Sequence, residues 1–172
     1  DGLTRVGNRK CFDLRLCQMA EAALQDGQGL CLMMFDVDYF KAFNDAHGHP
    51  MGDQVLRLVA STLQESVKGR DVVARYGGEE FAVILAGARL ADAIKVGDGI
   101  RETVAKRRIV RKRTGEELAA ITISAGIAAY RPGEPLIDLI ERSDNALYRA
   151  KDCGRNLVLP EAAAPEKIAL KG

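Results

Sequence analysis

The sequence predicts one α/β domain of the α+β kind, a single mixed sheet, mainly antiparallel, flanked by helices. Three observations lead there. Short apolar runs are bounded by turn residues, longer segments carry apolar residues at helical spacing, and a tight hairpin mid-chain breaks any strict alternation of strand and helix. The 172 residues are enough for one domain with a real core. Hydrophobic residues make up 47% and charged residues 28%, with Lys+Arg 25 against Asp+Glu 24. That balance excludes disorder as the main state. It also leaves no excess positive charge for a nucleic-acid polymer or an anionic membrane. A local basic pocket for a small phosphate ligand stays open. No purely apolar stretch, residues 30–35 among them, approaches the ~18 residues that a membrane span needs, and no signal-peptide h-region opens the chain. Cys11, Cys17, Cys31 and Cys153 form no CxxC and no His/Cys cluster with zinc spacing. Reduced thiols and a cytoplasmic setting are therefore expected.

Residues 8–25 read as the first helix, with Phe12, Leu16, Met19 and Ala23 at helical spacing and Asp26-Gly27 as its stop. Residues 30–37 are apolar without alternation and end in carboxylates, the pattern of a buried central strand. A short helix follows at 39–46, then a loop, His47-Gly48-His49-Pro50-Met51-Gly52, by its Gly and Pro content. A long helix at 53–66 puts Val55, Leu56, Val59 and Leu63 on one face. Two short strands, 72–76 and 81–85, are joined by Gly77-Gly78-Glu79-Glu80 as a hairpin. The next helix, 90–106, turns Leu90, Ala93, Ile94, Gly97, Ile100 and Val104 inward. Residues 107–117, with Arg107, Arg108, Arg111, Lys112 and Arg113, read as an exposed hairpin edge kept soluble by charge. A long strand is expected over 118–130 on Ile121, Ile123 and Ile127, a turn at Pro132, Gly133 and Pro135, a helix over 136–152 and a last strand at 156–159. The tail from Pro160 is expected to be poorly ordered.

Acidic residues mark the candidate chemistry. Asp36 and Asp38 close the first strand, and their two-residue offset puts both carboxylates on one face. Glu79 and Glu80 lie in the hairpin. A carboxylate at the end of a buried strand is costly unless something pairs with it. Mg²⁺ suits that role, because it takes hard oxygen ligands and shares substrate phosphates. If the two elements are neighbours, Asp36 and Glu79 can hold one or two ions between them. The plainer alternative is a set of exposed turn acids, and for a DxD by itself that alternative is preferred. Gly77-Gly78 lets a backbone approach a ligand, or is simply a hairpin pair. Lys151 and Arg155, four apart at the C-terminal end of the last helix, fit the helix dipole or a phosphate clamp that Lys41 can join. Each lysine alone is more often a solvated charge. His47 and His49 form an HxH with no third ligand nearby, so turn or packing roles are expected.

Arg75-Tyr76-Gly77-Gly78-Glu79-Glu80-Phe81 resembles the signature of the GGDEF family, the diguanylate cyclases, in its GGEEF form. Four other stretches resemble the family in the same order. They are Asp1-Gly2-Leu3-Thr4 with Asn8-Arg9; Phe35-Asp36-Val37-Asp38-Tyr39-Phe40-Lys41 with Asn44-Asp45; Gly48-His49 with Gly52-Asp53; and Ala150-Lys151 with Gly154-Arg155-Asn156. Ordered motifs along this span are far more specific than the GGEEF string alone. Residues 1–159 are therefore expected to be a GGDEF catalytic domain, and 160–172 a tail.

The resemblance implies a ferredoxin-like palm, similar to nucleotide cyclases and polymerases, that condenses two GTP into cyclic di-GMP and releases two pyrophosphate. It implies two Mg²⁺ (or Mn²⁺) per active site, held by Asp36, the Val37 carbonyl, Glu79 and Glu80, with Glu79 also helping to activate the ribose 3′-hydroxyl. Two ions about 4 Å apart can clamp an in-line displacement. Asn44 and Asp53 match the positions that read guanine. A carboxylate accepts from guanine N1–H and the exocyclic amine, an arrangement adenine does not offer, which argues for GTP over ATP. Gly77 and Gly78 leave room for the triphosphate, while Lys41, Lys151, Arg155 and backbone amides near Phe40 hold phosphates. Joining two GTP needs two domains facing across a two-fold axis. A homodimer is thus expected for catalysis, with a sensor or dimerising segment upstream; a membrane tether there stays open. The chain by itself is expected to be largely monomeric and weakly active.

One stretch departs from the pattern. Where many members carry Arg-x-x-Asp for binding of inhibitory product, this chain has Lys68-Gly69-Arg70-Asp71. Lysine cannot make arginine's planar bidentate contact, so weak or absent product inhibition is expected; a tight-binding isotherm for cyclic di-GMP would overturn this. The alternative function is a catalytically silent module that binds GTP or cyclic di-GMP. It stands behind the cyclase because Asp36, Glu79, Glu80, Asn44 and Asp53 are all present. A purely structural dimerisation domain and an ATP-using cyclase follow.

Overall fold

A computed structural model describes residues 1–111, 115–118 and 120–163. The chain opens with α1 (Arg9–Asp26), capped by Asn8, whose side chain accepts from the Cys11 amide at 2.9 Å. It ends on Gly27 at φ +64°, a left-handed cap. β1 (Leu30–Val37) is buried along its whole length, as an unalternating apolar run requires. After it come α2 (Phe40–His47), α3 (His49–Ser66), β2 (Val72–Arg75), β3 (Glu80–Ala86) and α4 (Leu90–Lys106). A small two-stranded hairpin, β4 (Val110–Arg111) with β5 (Glu116–Glu117), precedes β6 (Ile123–Ala129), α5 (Leu136–Asp152) and β7 (Val158–Pro160).

The five-stranded sheet runs β2-β3-β1-β6-β7, antiparallel except for the parallel β6–β7 pair. β1 is central, and its side chains alternate between two cores. Cys31, Met33, Phe35 and Val37 pack under α3 and α4 with Val55, Val59, Leu63, Ile100 and Val104. Leu30, Leu32 and Met34 pack under α1 and α5 with Phe12, Leu16, Leu139 and Leu147. By that alternation Asp36 continues the α1/α5 face.

Three expectations need correction. The loop expected at His47–Gly52 shrinks to Gly48 at φ +84°, because α3 starts at His49 and runs four residues earlier than the sequence suggests. Pro50 lies in its first turn, where a proline gives up no helical hydrogen bond. The strand expected over 118–130 begins only at Ile123. Leu118 instead donates its N–H to Ile109 O at 2.8 Å, while Leu118 and Ile121 are buried against the α3/α4 core. Their apolar character reports burial, not a place in β6. Finally, α5 ends at Asp152, so Arg155 is not on the helix with Lys151 but in a turn beyond it.

The expected basic hairpin forms at β4–β5; Lys112 and Arg113 lie outside the described residues. At the other end Pro160 closes β7, and Glu161 bonds Arg131, Arg142 and the Ala129 amide. Of the expected tail, residues 164–172 lie outside the described residues. The four cysteines are free thiols. Burial pushes Cys31 up to about 12, as befits a small core hydrophobe. Among the described residues no helix is long and apolar enough to cross a membrane.

Candidate active site

The site forms where β1 ends and the β2–β3 hairpin turns. Register places Asp36 opposite Glu80, and the Val37 N–H donates to Glu79 O at 3.3 Å. Asp36, Val37, Glu79 and Glu80 therefore share one end of two neighbouring strands. Tyr76 and Gly77 close the turn by donating to Glu80 O at 2.8 and 3.3 Å. Neither Gly77 nor Gly78 takes a positive φ. Gly77 serves close approach, since a Cβ there would stand 2.4 Å from Glu80 Oε2. Around Gly78 there is open space.

These acids are short of positive charge. Burial raises the pKa of Asp36, which the Lys151 ammonium at 2.8 Å opposes. Burial also raises Glu79 and Glu80, and the Asp36 charge raises both further. Among the described residues, no three or more His, Cys, Asp and Glu side chains are arranged to hold a metal ion. The donor set nevertheless suits Mg²⁺ in its chemistry: hard carboxylate oxygens, under-compensated, on a rigid strand end. Mg²⁺ needs no closed protein cage, because it keeps waters and shares substrate phosphates.

Asp36 and Asp38 divide in role. Asp38 is buried and accepts from Thr122 Oγ1 and Ser124 Oγ, both at 2.7 Å, and from the Asn156 amide at 2.9 Å. Its acceptors are in use, whereas Asp36 faces Lys151.

Beside the acids lies a cleft of about 450 Å³ whose walls include Phe40, Lys41, Asn44, Asp53, Gly78 and Glu79. Asn44 Oδ1 is buried and has no hydrogen-bond partner among the described residues. It is seated against Gly52, where a Cβ would come within 1.9 Å of it. An orphaned buried oxygen is costly, and a ligand donor relieves that cost. Lys41 is exposed on the first turn of α2. Arg155 lies 4.6 Å over the Tyr39 ring, and its charge acts on Asp36. His47 stacks on Phe43 at 4.7 Å, a packing role.

Lys68 and Asp71 lie apart from this cleft. Asp71 accepts from the Lys68 amide at 3.1 Å and the Ala86 amide at 2.9 Å, so both its oxygens hold backbone. Arg75 opens the signature stretch, and the sequence assigns it no role of its own. Its Nε and Nη2 donate to Gly78 O at 3.1 and 2.6 Å, and Nη1 reaches Asp1 Oδ1 at 3.4 Å. It latches the glycine turn to the chain's first residue. The available signal was a lone cation ending an otherwise apolar strand.

A mainly antiparallel sheet backed by two pairs of long helices, with carboxylates from a central strand and a hairpin beside a base-sized cleft, defines a palm-type α+β domain. Comparison makes the class specific. The family model described as "Diguanylate cyclase, GGDEF domain" matches residues 1–157, and the chain belongs to that family. It is 38% identical over 160 residues to the diguanylate cyclase VdcA of Vibrio cholerae, covering 93% of this chain and 46% of that protein. The crystal structure of the GGDEF domain of DgcB from Caulobacter crescentus in complex with c-di-GMP superposes with a TM-score of 0.92 at 42% identity, covering 95% of this chain and 93% of that one. The same domain with its coiled coil gives 0.90 at 42% identity, over 93% and 84%. The chain thus spans less than half the length of the curated relative.

Proposed function

We propose that residues 1–159 are a catalytic domain that condenses two GTP into cyclic di-GMP. The observation that carries this reading is the meeting of Asn44, Asp53, Lys41 and Glu79 on one cleft. The base enters against Asn44 and Asp53, where the orphaned Asn44 Oδ1 and the Asp53 carboxylate accept from the N–H groups of guanine. Lys41, Lys151 and Arg155 meet the phosphates, with backbone amides at Phe40 assisting, and Gly77 and Gly78 keep the turn clear of side chains. Asp36, Glu79, Glu80 and the Val37 carbonyl would hold two divalent cations, Mg²⁺ or Mn²⁺, which would supply charge neutralisation at the α-phosphate and a lowered pKa for the attacking hydroxyl. Glu79 helps take the 3′-hydroxyl proton. The freed 3′-oxygen bonds to the α-phosphorus of the other GTP, the bond from that phosphorus to the β-phosphate oxygen breaks, and pyrophosphate leaves. The step occurs twice. One domain holds one GTP, so the pair forms across a two-fold axis in a homodimer.

The test is a product assay: the chain at high concentration with GTP and Mg²⁺, read by chromatography. Cyclic di-GMP establishes the activity. GTP binding without product, persisting after fusion to a dimerising coiled coil, would replace the cyclase with a silent GTP-binding module.

Gly52→Ala tests the base pocket. The added methyl would meet Asn44 Oδ1 at 1.9 Å and Phe40 Cζ at 3.1 Å, so the amide must leave its seat. Losing a buried contact of this kind costs about 10- to 100-fold in affinity. The helix itself gains, since Ala exceeds Gly by up to about 1 kcal/mol in a helix interior. The expected result is a folded chain that binds GTP weakly in a calorimetric titration. Unchanged affinity would remove Asn44 from guanine recognition.

A further inference from the structure

Among the described residues the non-glycine positions with positive φ are Arg5, Tyr39, Arg155 and Asn156. Three of these four meet in one place. Tyr39 follows Asp38 at the exit of β1, and Arg155-Asn156 form the turn after α5. Backbone held in this region persists only where its surroundings fix it, and two contacts do so. Asp38, 3% exposed, binds the Asn156 amide at 2.9 Å with the same oxygen that accepts from Thr122, while its other oxygen accepts from Ser124. Next to it, the Arg155 guanidinium lies 4.6 Å over the Tyr39 ring. That ring is 65% exposed, so it does not serve the core. From its other side Asn156 Oδ1 accepts from Arg101 at 3.3 Å. The two rungs, Asp38–Asn156 and Tyr39–Arg155, clasp the end of the central strand to the turn that carries the cation. Asp36 and Lys151 sit at the same junction, 2.8 Å apart.

We propose that Asp38 and Tyr39 are positioning residues, which set the Arg155 guanidinium where it meets the outer phosphates of the nucleotide. This rests on the reading of Arg155 as a phosphate ligand. A glycine or asparagine would occupy φ +56° with less strain than tyrosine. What tyrosine adds is the ring under the guanidinium. Asp38 adds an acceptor-only carboxylate, which an asparagine of the same shape cannot supply to three donors at once.

The experiment compares binding of 3′-deoxy-GTP, which lacks the attacking hydroxyl, with binding of GMP, which lacks the outer phosphates, by calorimetry in Mg²⁺. Arg155→Ala should weaken the triphosphate about tenfold and leave GMP unchanged. Asp38→Asn should do the same. Tyr39→Asn should cost about threefold on the triphosphate alone, the scale of a lost cation–π contact. Its melting temperature should hold or rise, because Asn tolerates the left-handed backbone. Adding Asp38→Asn or Tyr39→Asn to Arg155→Ala should cost nothing further. A merely structural role would lower stability and leave the ratio of the two affinities untouched; that result overturns the proposal. If Arg155→Ala itself leaves the ratio unchanged, the phosphate reading falls and the positioning roles with it. If Arg155→Ala weakens the triphosphate and neither partner variant does, the positioning roles alone fall. Should Asp38→Asn fail to fold, the exposed Tyr39 carries the decision.

Discussion

Glu79→Gln should abolish cyclic di-GMP formation and, without divalent cation, make the chain more stable than the parent. The first half follows from its place in the proposed chemistry. A positioned acid–base group is worth about 10²–10⁴-fold, and the amide can neither take the 3′-hydroxyl proton nor ligate a cation as a carboxylate does. The second half follows from the electrostatics. Burial, and then the Asp36 charge, raise the Glu79 pKa above its ordinary value of 4.5. A folded pKa above the unfolded one means that the native state binds the proton more tightly. Its contribution is therefore favourable below pH 4.5 and is lost as pH rises through the raised value. At pH 7.5 the ionised side chain is a net cost, which glutamine removes. The variant should thus melt higher at pH 7.5, and the difference should close as pH falls below 4.5. Mg²⁺ should raise the melting temperature of the parent more than that of the variant, because a ligand of the folded state stabilises it by mass action. Chromatography reads the first half and thermal melts at two pH values read the second. Lost product together with a lower melting temperature at pH 7.5 would mean that the variant is merely damaged.

The same acids show how far the sequence alone reaches. β1 was legible to the residue because a strand buried on both faces leaves an unalternating apolar run. α4 and α5 were legible because their buried residues recur at helical spacing. The start of α3 was not, since Pro50 reads as a breaker unless its place in the first turn is known. Nor was the division between Asp36 and Asp38. The DxD spacing puts both on one face, and only segments 84, 86 and 118 residues away, at Thr122, Ser124 and Asn156, decide that Asp38 is fully bonded. The Asn44–Gly52 seat likewise depends on how two consecutive helices cross at Gly48, and the Lys151–Asp36 pair on how α5 lies across the sheet. Local pattern locates the chemistry-bearing residues; their assignment to partners is a property of the packed chain.

Gly126→Ala should be the most damaging single methyl in the domain, and it should reach the site through α5. Gly126 lies on β6 opposite Met34, under α5. A Cβ there would stand 2.1 Å from both Leu147 N and Ser143 O and 2.7 Å from Ala146 C. These are helix backbone atoms, which have no rotamer to escape into, so α5 must lift off the sheet. Lifting breaks the buried bonds of Ser143 Oγ to Gly126 O at 2.9 Å and Leu32 O at 3.2 Å, and it loosens Leu139 and Leu147 in the core. Overpacking costs about 1–3 kcal/mol and an unpaired buried hydroxyl about 1–3 more. Out of a total stability of roughly 5–15 kcal/mol, a loss near 3 lowers the melting temperature by about 6–12 °C in a domain of this size. At the far end of the same helix Lys151 holds Asp36 at 2.8 Å, and a displaced helix releases that contact. The surviving folded fraction should therefore bind GTP more weakly than the parent. Gly99→Ala is the control. It sits on α4 with nothing within 4 Å of the new methyl, and the same chemical change should stabilise by up to about 1 kcal/mol through helix propensity alone. Denaturant melts of the two variants should move in opposite directions. A Gly126→Ala chain as stable as the parent would mean that α5 can shift freely over β6, and the close contact at Gly126 would then not be what places Lys151 on Asp36.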